Sequence, residues 1–228
     1  MELLAGYADR VLEYDDGSLA TVFEDEVQCL DAGPDGVYCG TSDGLYRRRD
    51  GEGTEWERVA DVGDVTAVAV HESGVWVGTE PSAVYHAPEG ERFTECSGLT
   101  DVPSSDDWAF PPRPSTHHVR WLEPTAERLY AAIEAGALVR SPDGGETCGT
   151  ASARALRHAL HDDHADRPAL AYSAAGDGFY VTRDGGDSWT TAASGLDRSY
   201  CWSVVCDPDD PSECSCLPRP ARGAPTDA

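Results

Sequence analysis

Side chains suited to chemistry gather in three stretches of the 228-residue chain. The first is His117-His118-Val119-Arg120-Trp121, which reads as the start of a strand after a long Pro-rich loop. Arginine grips carboxylates through paired hydrogen bonds. His117, His118 and Arg120 are therefore candidate ligand contacts, with Trp108 and Phe110 of the loop as an aromatic lid. Strand side chains alternate, so only His118 with Arg120, or Val119 with Trp121, can face a given side. The competing reading pairs Arg120 with a neighbouring carboxylate and treats the loop as a packed connection.

The second stretch, His158-x2-His161-Asp162-Asp163-His164, is the densest set of metal-ligand types. On a helix His161 and His164 would share a face. The flanking pattern is instead a strand running into a turn, so a solvated inter-strand turn is the better reading. In the third stretch, Cys201-x4-Cys206 and Cys214-x-Cys216 lack the C-x2-C spacing of zinc sites, and no histidine follows them. No metal is expected. A dinucleotide fingerprint, a P-loop and a G-x-S-x-G elbow are all absent, so no cofactor is expected either.

Composition narrows the partners. The formal charge is −25, from 17 basic and 42 acidic side chains, and every basic one is arginine. Lysine and asparagine are absent, and glutamine and isoleucine occur once each, as Gln28 and Ile133. An acid excess without lysine suits a protein solvated in molar salt, where the screening length shrinks to about 3 Å and close carboxylates repel less. The wealth of Arg, Ala, Gly and Pro also fits a GC-rich coding sequence. A haloarchaeal-type cytoplasmic protein is the expectation. So negative a surface argues against nucleic acids and anionic membranes as partners. The N-terminal stretch lacks a basic segment followed by a long apolar one, so no signal peptide is expected. No run reaches the ~18 apolar residues of a membrane span. In that setting the eight cysteines are expected as reduced thiols.

Two octapeptides set the frame that must position these side chains. They are Ser141-Pro142-Asp143-Gly144-Gly145-Glu146-Thr147-Cys148 and Thr182-Arg183-Asp184-Gly185-Gly186-Asp187-Ser188-Trp189. Both read S/T-x-D-x-G-x-S/T, closed by Trp189 in one and by Cys148 in the other. Asp143 and Asp184 stand 41 residues apart, a period that marks a repeat architecture. The aspartate can accept hydrogen bonds from N–H groups of its own turn, and glycine supplies the positive φ. The aromatic residue can then fold under the hairpin and pack.

The same period runs through the chain. Strands are predicted at Leu3–Tyr7, Arg10–Tyr14 and Leu19–Phe23, then in a unit centred on Gly36–Tyr46 that ends in a decayed box near Asp50, with Trp56 in the aromatic place. Further strands are predicted at Val65–His71, Gly74–Thr79 and Val84–His86, at His118–Leu122, Arg128–Glu134 and Ala137–Ser141, and at Ala155–His161, Ala169–Ser173, Gly178–Thr182 and Trp189–Ala192. Residues 97–116 form the one long loop.

The octapeptides resemble the Asp-box of BNR-repeat proteins, a β-propeller group that includes sialidases, sortilin-type receptors and the photosystem II assembly factor family. The resemblance implies an all-β propeller of four-stranded blades. It makes Ser141, Asp143, Gly145, Thr147, Thr182, Asp184, Gly186, Ser188 and Trp189 structural, on outer hairpins away from the ligand face. The expected boundaries are blades at 27–62, 63–97, 117–153 and 154–196, with 1–26 and 199–207 combined in one more and 212–228 a disordered tail. In that reading the strand of Tyr200–Cys206 pairs with Leu3–Tyr7 and about five blades close. The alternative is a longer propeller cut short. The expected function is a non-catalytic binding or assembly scaffold, a monomer that takes a protein or carbohydrate at its central face. A sialidase-like glycoside hydrolase is the alternative, and a truncated non-functional propeller a third. Sialidase catalysis would require three arginines, a tyrosine nucleophile paired with glutamate, and an aspartate. Arg10, Arg120, Arg140, Tyr7, Tyr130 and Tyr200 are present, but no spacing selects a set from them.

Overall fold

Short runs rich in Val, Ala, Leu and Tyr, bounded by Gly and Asp turns, favour strands over helices along the whole chain. A computed structural model describes residues 3–49, 55–88, 92–109, 116–134, 136–152, 156–161, 169–175, 178–192, 194–196, 200–207, 210 and 214–218. Among them six sheets follow one another, each pairing its strands in chain order. The first holds β1 (Leu3–Tyr7), β2 (Arg10–Asp15) and β3 (Ser18–Phe23). The second holds β4 (Val27–Gly33), β5 (Gly36–Thr41), β6 (Gly44–Arg48) and β7 (Glu57–Ala60). In the third are β8 (Asp64–His71), β9 (Gly74–Glu80), β10 (Val84–Ala87) and β11 (Thr94–Glu95). The fourth has β12 (Val119–Pro124), β13 (Leu129–Ile133), β14 (Leu138–Ser141) and β15 (Gly149–Ser152). The fifth has β16 (Leu156–His161), β17 (Ala171–Ala175), β18 (Gly178–Thr182) and β19 (Thr190–Thr191). The sixth pairs β20 (Cys201–Cys206) with β21 (Cys214–Pro218).

Glycine fixes the repeat where backbones crowd. The β4–β5 and β8–β9 hairpins turn into Gly36 and Gly74, at φ 117° and 120°. A Cβ there would lie 2.1 Å from the Arg48 carbonyl oxygen and 2.2 Å from that of Ala87. No L side chain fits either position.

Strand alternation then builds a core on each side of the inner sheets. On β13, Leu129, Ala131 and Ile133 point into the apolar cluster shared with the third sheet, among Trp76, Val84 and Val119. Tyr130 and Ala132 point the other way, onto Ala175 and Tyr180 of the fifth sheet. Tyr172, Ala174 and Val181 in turn meet Cys201 and Val204 of the sixth. Tyr38, Leu45, Val65 and Val77 fill the space between the second and third. The middle strands are therefore buried on both faces, as sheets stacked in series require.

Three expectations need correction. Residues 214–218 form a strand rather than part of a disordered tail, with Cys206 opposite Cys214 in the ladder. β20 does not complete the first sheet by pairing with β1. It packs on β16 and β17 as β16 packs on β12 and β13, so it opens a sheet of its own. The inserted loop also differs from an aromatic lid over its described part. Leu99, Val102 and Trp108 are buried in the core between the third and fourth sheets. Phe110 lies outside the described residues.

Candidate functional site

Alternating strand directions give each four-stranded sheet two ends. The turns between first and second strands, and between third and fourth, lie at one end. At the other lie the starts of the first strands and the turns between second and third. Both Asp-boxes join a third strand to a fourth, so they share the first of these ends.

At the box end, each turn satisfies itself. Thr147 donates its N–H to Asp143 Oδ1 at 2.8 Å and its hydroxyl to Oδ2 at 2.6 Å. Ser141 Oγ donates to Asp143 Oδ1 at 2.8 Å and accepts the Gly145 N–H at 2.7 Å. The second box repeats the pattern. The Ser188 N–H reaches Asp184 Oδ1 at 2.9 Å and its hydroxyl binds Oδ2, while Thr182 Oγ1 donates to Asp184 at 2.7 Å and accepts the Gly186 N–H at 2.9 Å. The hydroxyls of Thr147 and Ser188, then their N–H groups, hold both aspartate carboxyls below the ordinary carboxylate range. Gly144, Gly145, Gly185 and Gly186 all take positive φ. Arg140 and Arg128 donate to the Gly185 carbonyl at 2.7 and 3.1 Å, and Arg140 also pairs with Asp187, which ties this hairpin to the fourth sheet. Trp189 packs beneath on Tyr130, Leu138 and Tyr180, whereas Cys148 meets a core already filled by Leu99 and Cys96.

The opposite end is built differently. Five first strands carry a register shift near their start, between Val27 and Cys29, Val65 and Ala67, Val119 and Trp121, Leu156 and His158, and Cys201 and Ser203. Each shift leaves one extra residue, a β-bulge: Gln28, Thr66, Arg120, Arg157 and Trp202. The partner strand places a small residue beside four of them, namely Gly40, Gly78, Ala132 and Ala174. At two of these sites a Cβ would strike the next sheet's first strand, 2.5 Å from Val65 and 2.5 Å from Val119. Small residues thus let successive first strands approach each other. The bulge residues then bridge them: Gln28 Nε2 donates to Asp64, and Thr66 Oγ1 donates to the Val119 carbonyl at 2.7 Å.

Arg120 is the bulge residue of the fourth sheet, which changes the expected facing of its strand. Alternation alone would place Arg120 and Trp121 on opposite faces, but the bulge leaves both exposed while Val119 and Leu122 are buried. Arg120 Nε lies 4.0 Å from Glu134, with its side chain 41% exposed. Trp121 Nε1 donates to Glu123 at 2.9 Å. His118 Nδ1 is 3.7 Å from Glu80 Oε2, and the His118 carbonyl accepts the Glu134 N–H at 3.0 Å. The His117 carbonyl accepts the Ser82 N–H at 3.0 Å, and the Trp108 ring meets its imidazole edge-on at 5.5 Å. Burial pushes the His117 pKa down, and Glu80 opposes the shift. Ser82 Oγ, Trp108 Nε1 and His117 Nδ1 are buried with no hydrogen-bond partner among the described residues. Such orphaned atoms are costly in an interior.

His117, His118, Arg120 and Trp108 therefore meet at one place, joined by Glu80, Ser82 and Glu134, which the sequence reading missed. A sialidase-type set is not assembled. Arg140 ends β14 at the box end, away from Arg120, and Arg10 stands in the first sheet, paired with Asp9 of the adjoining turn. His158 and His161 lie on β16, and His164 lies outside the described residues. A groove of about 840 Å³ between the second and third sheets, lined by Arg47, Arg58, His71 and Phe93, also lies at the box end.

No protein-family model and no curated protein matches the chain. Solved structures do. The GH74 enzyme of Niastella koreensis superposes with a TM-score of 0.69 at 14% identity, over 94% of this chain and 41% of that one. YCF48 bound to D1 peptide gives 0.62 at 16% identity, over 90% of this chain and 68% of that one. The WD40 β-propeller domain of Doa1 gives 0.53 at 11% identity, over 89% and 60%. The chain spans less than half the length of the GH74 enzyme. Its serial stack of four-stranded antiparallel sheets and these likenesses identify the fold as a β-propeller.

Proposed function

We propose that this is a BNR-type propeller from a halophile's cytoplasm, acting as a non-catalytic scaffold. It binds or assembles a protein or carbohydrate partner across the bulge end of its sheets. One observation carries the reading: five first strands each carry one bulge residue near their start, a glutamine, a threonine, two arginines and a tryptophan, on a frame locked at its far end. Arg120 anchors an anionic group of the ligand, with His117, His118 and Trp121 beside it and Trp108 supporting His117 from beneath. YCF48, which shares the fold, has been solved with a peptide, and that supports a protein partner here.

The test is isothermal titration in molar KCl with short peptides ending in a free α-carboxylate, with their amides, and with acidic oligosaccharides. The reading expects a free acid to bind, and Arg120→Ala to weaken it about tenfold or more, roughly 1.4 kcal/mol. If no probe binds, or if Arg120→Ala binds as well as the parent chain, the assignment fails.

Hydrolysis of glycosides has one observation in its favour, the two glutamates Glu80 and Glu134 at the bulge end, since glycosidases use paired carboxylates. Each is engaged by a cationic or titratable partner, His118 or Arg120. Turnover of aryl glycosides that Glu80→Gln or Glu134→Gln abolishes would replace the scaffold reading.

A further inference from the structure

Among the described residues six large apolar side chains stand exposed, and four belong to the first sheet: Leu3 at 56%, Tyr7 at 55%, Tyr14 at 42% and Leu19 at 66%. They form a surface rather than a scatter. Leu3 pairs with Tyr14 across β1 and β2, and Tyr14 pairs with Leu19 across β2 and β3. Residues directly opposite in a ladder share a face. Alternation adds Ala5, Leu12 and Thr21 to that face.

The other face of the sheet is spoken for. Val11 is fully buried there, a Cβ at Gly6 would lie 2.9 Å from Leu30, and Glu13 pairs with Arg48 of β6. The two carboxylates on these strands, Glu13 and Asp15, alternate to that inner side. The outer face thus carries no strand carboxylate, in a chain of formal charge −25. Its one charged strand residue, Arg10, is already paired with Asp9 in the adjoining turn.

We propose that this outer face docks against the same face of a second copy, two β1–β2–β3 sheets stacked about a two-fold axis. Two features of the molecule select that occupant. Elsewhere sheets cover one another through apolar faces of the same kind, so the natural cover for this one is another such sheet. Two strongly acidic copies also repel over most of their surfaces, and least where carboxylates are missing. A basic partner would find nothing to pair with on this face. Contiguous exposed apolar patches mark such contacts, and an isologous two-fold contact is the common closed form.

Light scattering coupled to size exclusion in molar KCl tests this on the full chain across a wide dilution range. The expected mass is twice the 24.4 kDa of one chain when concentrated and falls to one chain on dilution. Leu3→Asp with Leu19→Asp should stay at one chain throughout, with circular dichroism unchanged because both sites are exposed. A parent chain that is monomeric at every concentration overturns the proposal, since the face is then covered from within the chain or by a foreign partner. Masses that climb past two copies overturn it in favour of head-to-tail docking. Should the double variant melt without cooperativity, hydrogen exchange of the parent decides. Protection of β1–β3 that grows with concentration supports pairing, and exchange independent of concentration overturns it.

Discussion

The two ends of the sheets solve opposite problems. At the box end, Asp143 and Asp184 accept the N–H and hydroxyl of Thr147 and Ser188, and Ser141 and Thr182 take the glycine N–H groups that would otherwise be stranded. At the bulge end, the ladder is broken once in each of five first strands, and Ser82 Oγ, Trp108 Nε1 and His117 Nδ1 are buried without a partner among the described residues. The box turns close their backbone hydrogen bonds locally while the bulge end interrupts its ladders, and buried side-chain atoms without a partner among the described residues occur at both ends, Trp56 Nε1 and Trp189 Nε1 being at the box end. Proteins keep such local departures where they bind, and make them up in the rest of the fold.

That contrast can be broken by mutation. The largest expected loss comes from Trp189→Ala, which empties a packed ring from beneath the second box and costs about 3 kcal/mol in denaturant unfolding. A loss below about 1 kcal/mol would mean that the hairpin stands on its polar turn alone. Next is Thr182→Val, which keeps the shape but leaves the Gly186 N–H buried without an acceptor, costing about 2 kcal/mol. Arg120→Ala should move stability by no more than about 0.5 kcal/mol while weakening ligand binding. If it unfolds the chain instead, the two ends do not differ in kind.

The smallest effect is a pH dependence. Burial lowers the His117 pKa, so the folded state holds fewer protons than the unfolded chain. Its contribution is fully present above about 6.5, the unfolded value, and is lost as pH falls from there through the lowered folded value. The depressed aspartates of the boxes contribute above about 4 and lose that contribution as pH falls through their folded values. Melting curves against pH should therefore fall in two steps. His117→Gln should remove the upper step and leave the lower one, and a single unchanged step in both proteins would contradict this division of labour.

The box end was legible in the sequence because its information is local. Each octapeptide contains its own donors, acceptor and glycines, and the strands foreseen in the units around the boxes lie within two residues of those observed, although β15 was not foreseen. The bulge end was not, because a bulge is a relation between two strands. Nothing in His118-Val119-Arg120 announces that Val119 will face Ile133 and Trp121 will face Ala132. The signal that did exist lay elsewhere, in the small residues Gly40, Gly78, Ala132 and Ala174 near the ends of second strands. Glu80 and Ser82 joined the site from the preceding sheet, which no local pattern could indicate. β21 was missed because Ser215, Cys216 and Pro218 have little strand character of their own, and pairing with β20 overrides it.

A residue held in a bulge belongs to no ladder pair, so its replacement leaves the register on either side intact. Arg120, exposed and outside any ladder pair, is for that reason an addressable letter on an unchanging page. On the proposed reading, one substitution can retarget the surface while the six sheets beneath keep their alignment. A lineage can then rewrite what this scaffold recognises without having to invent a new way to fold it.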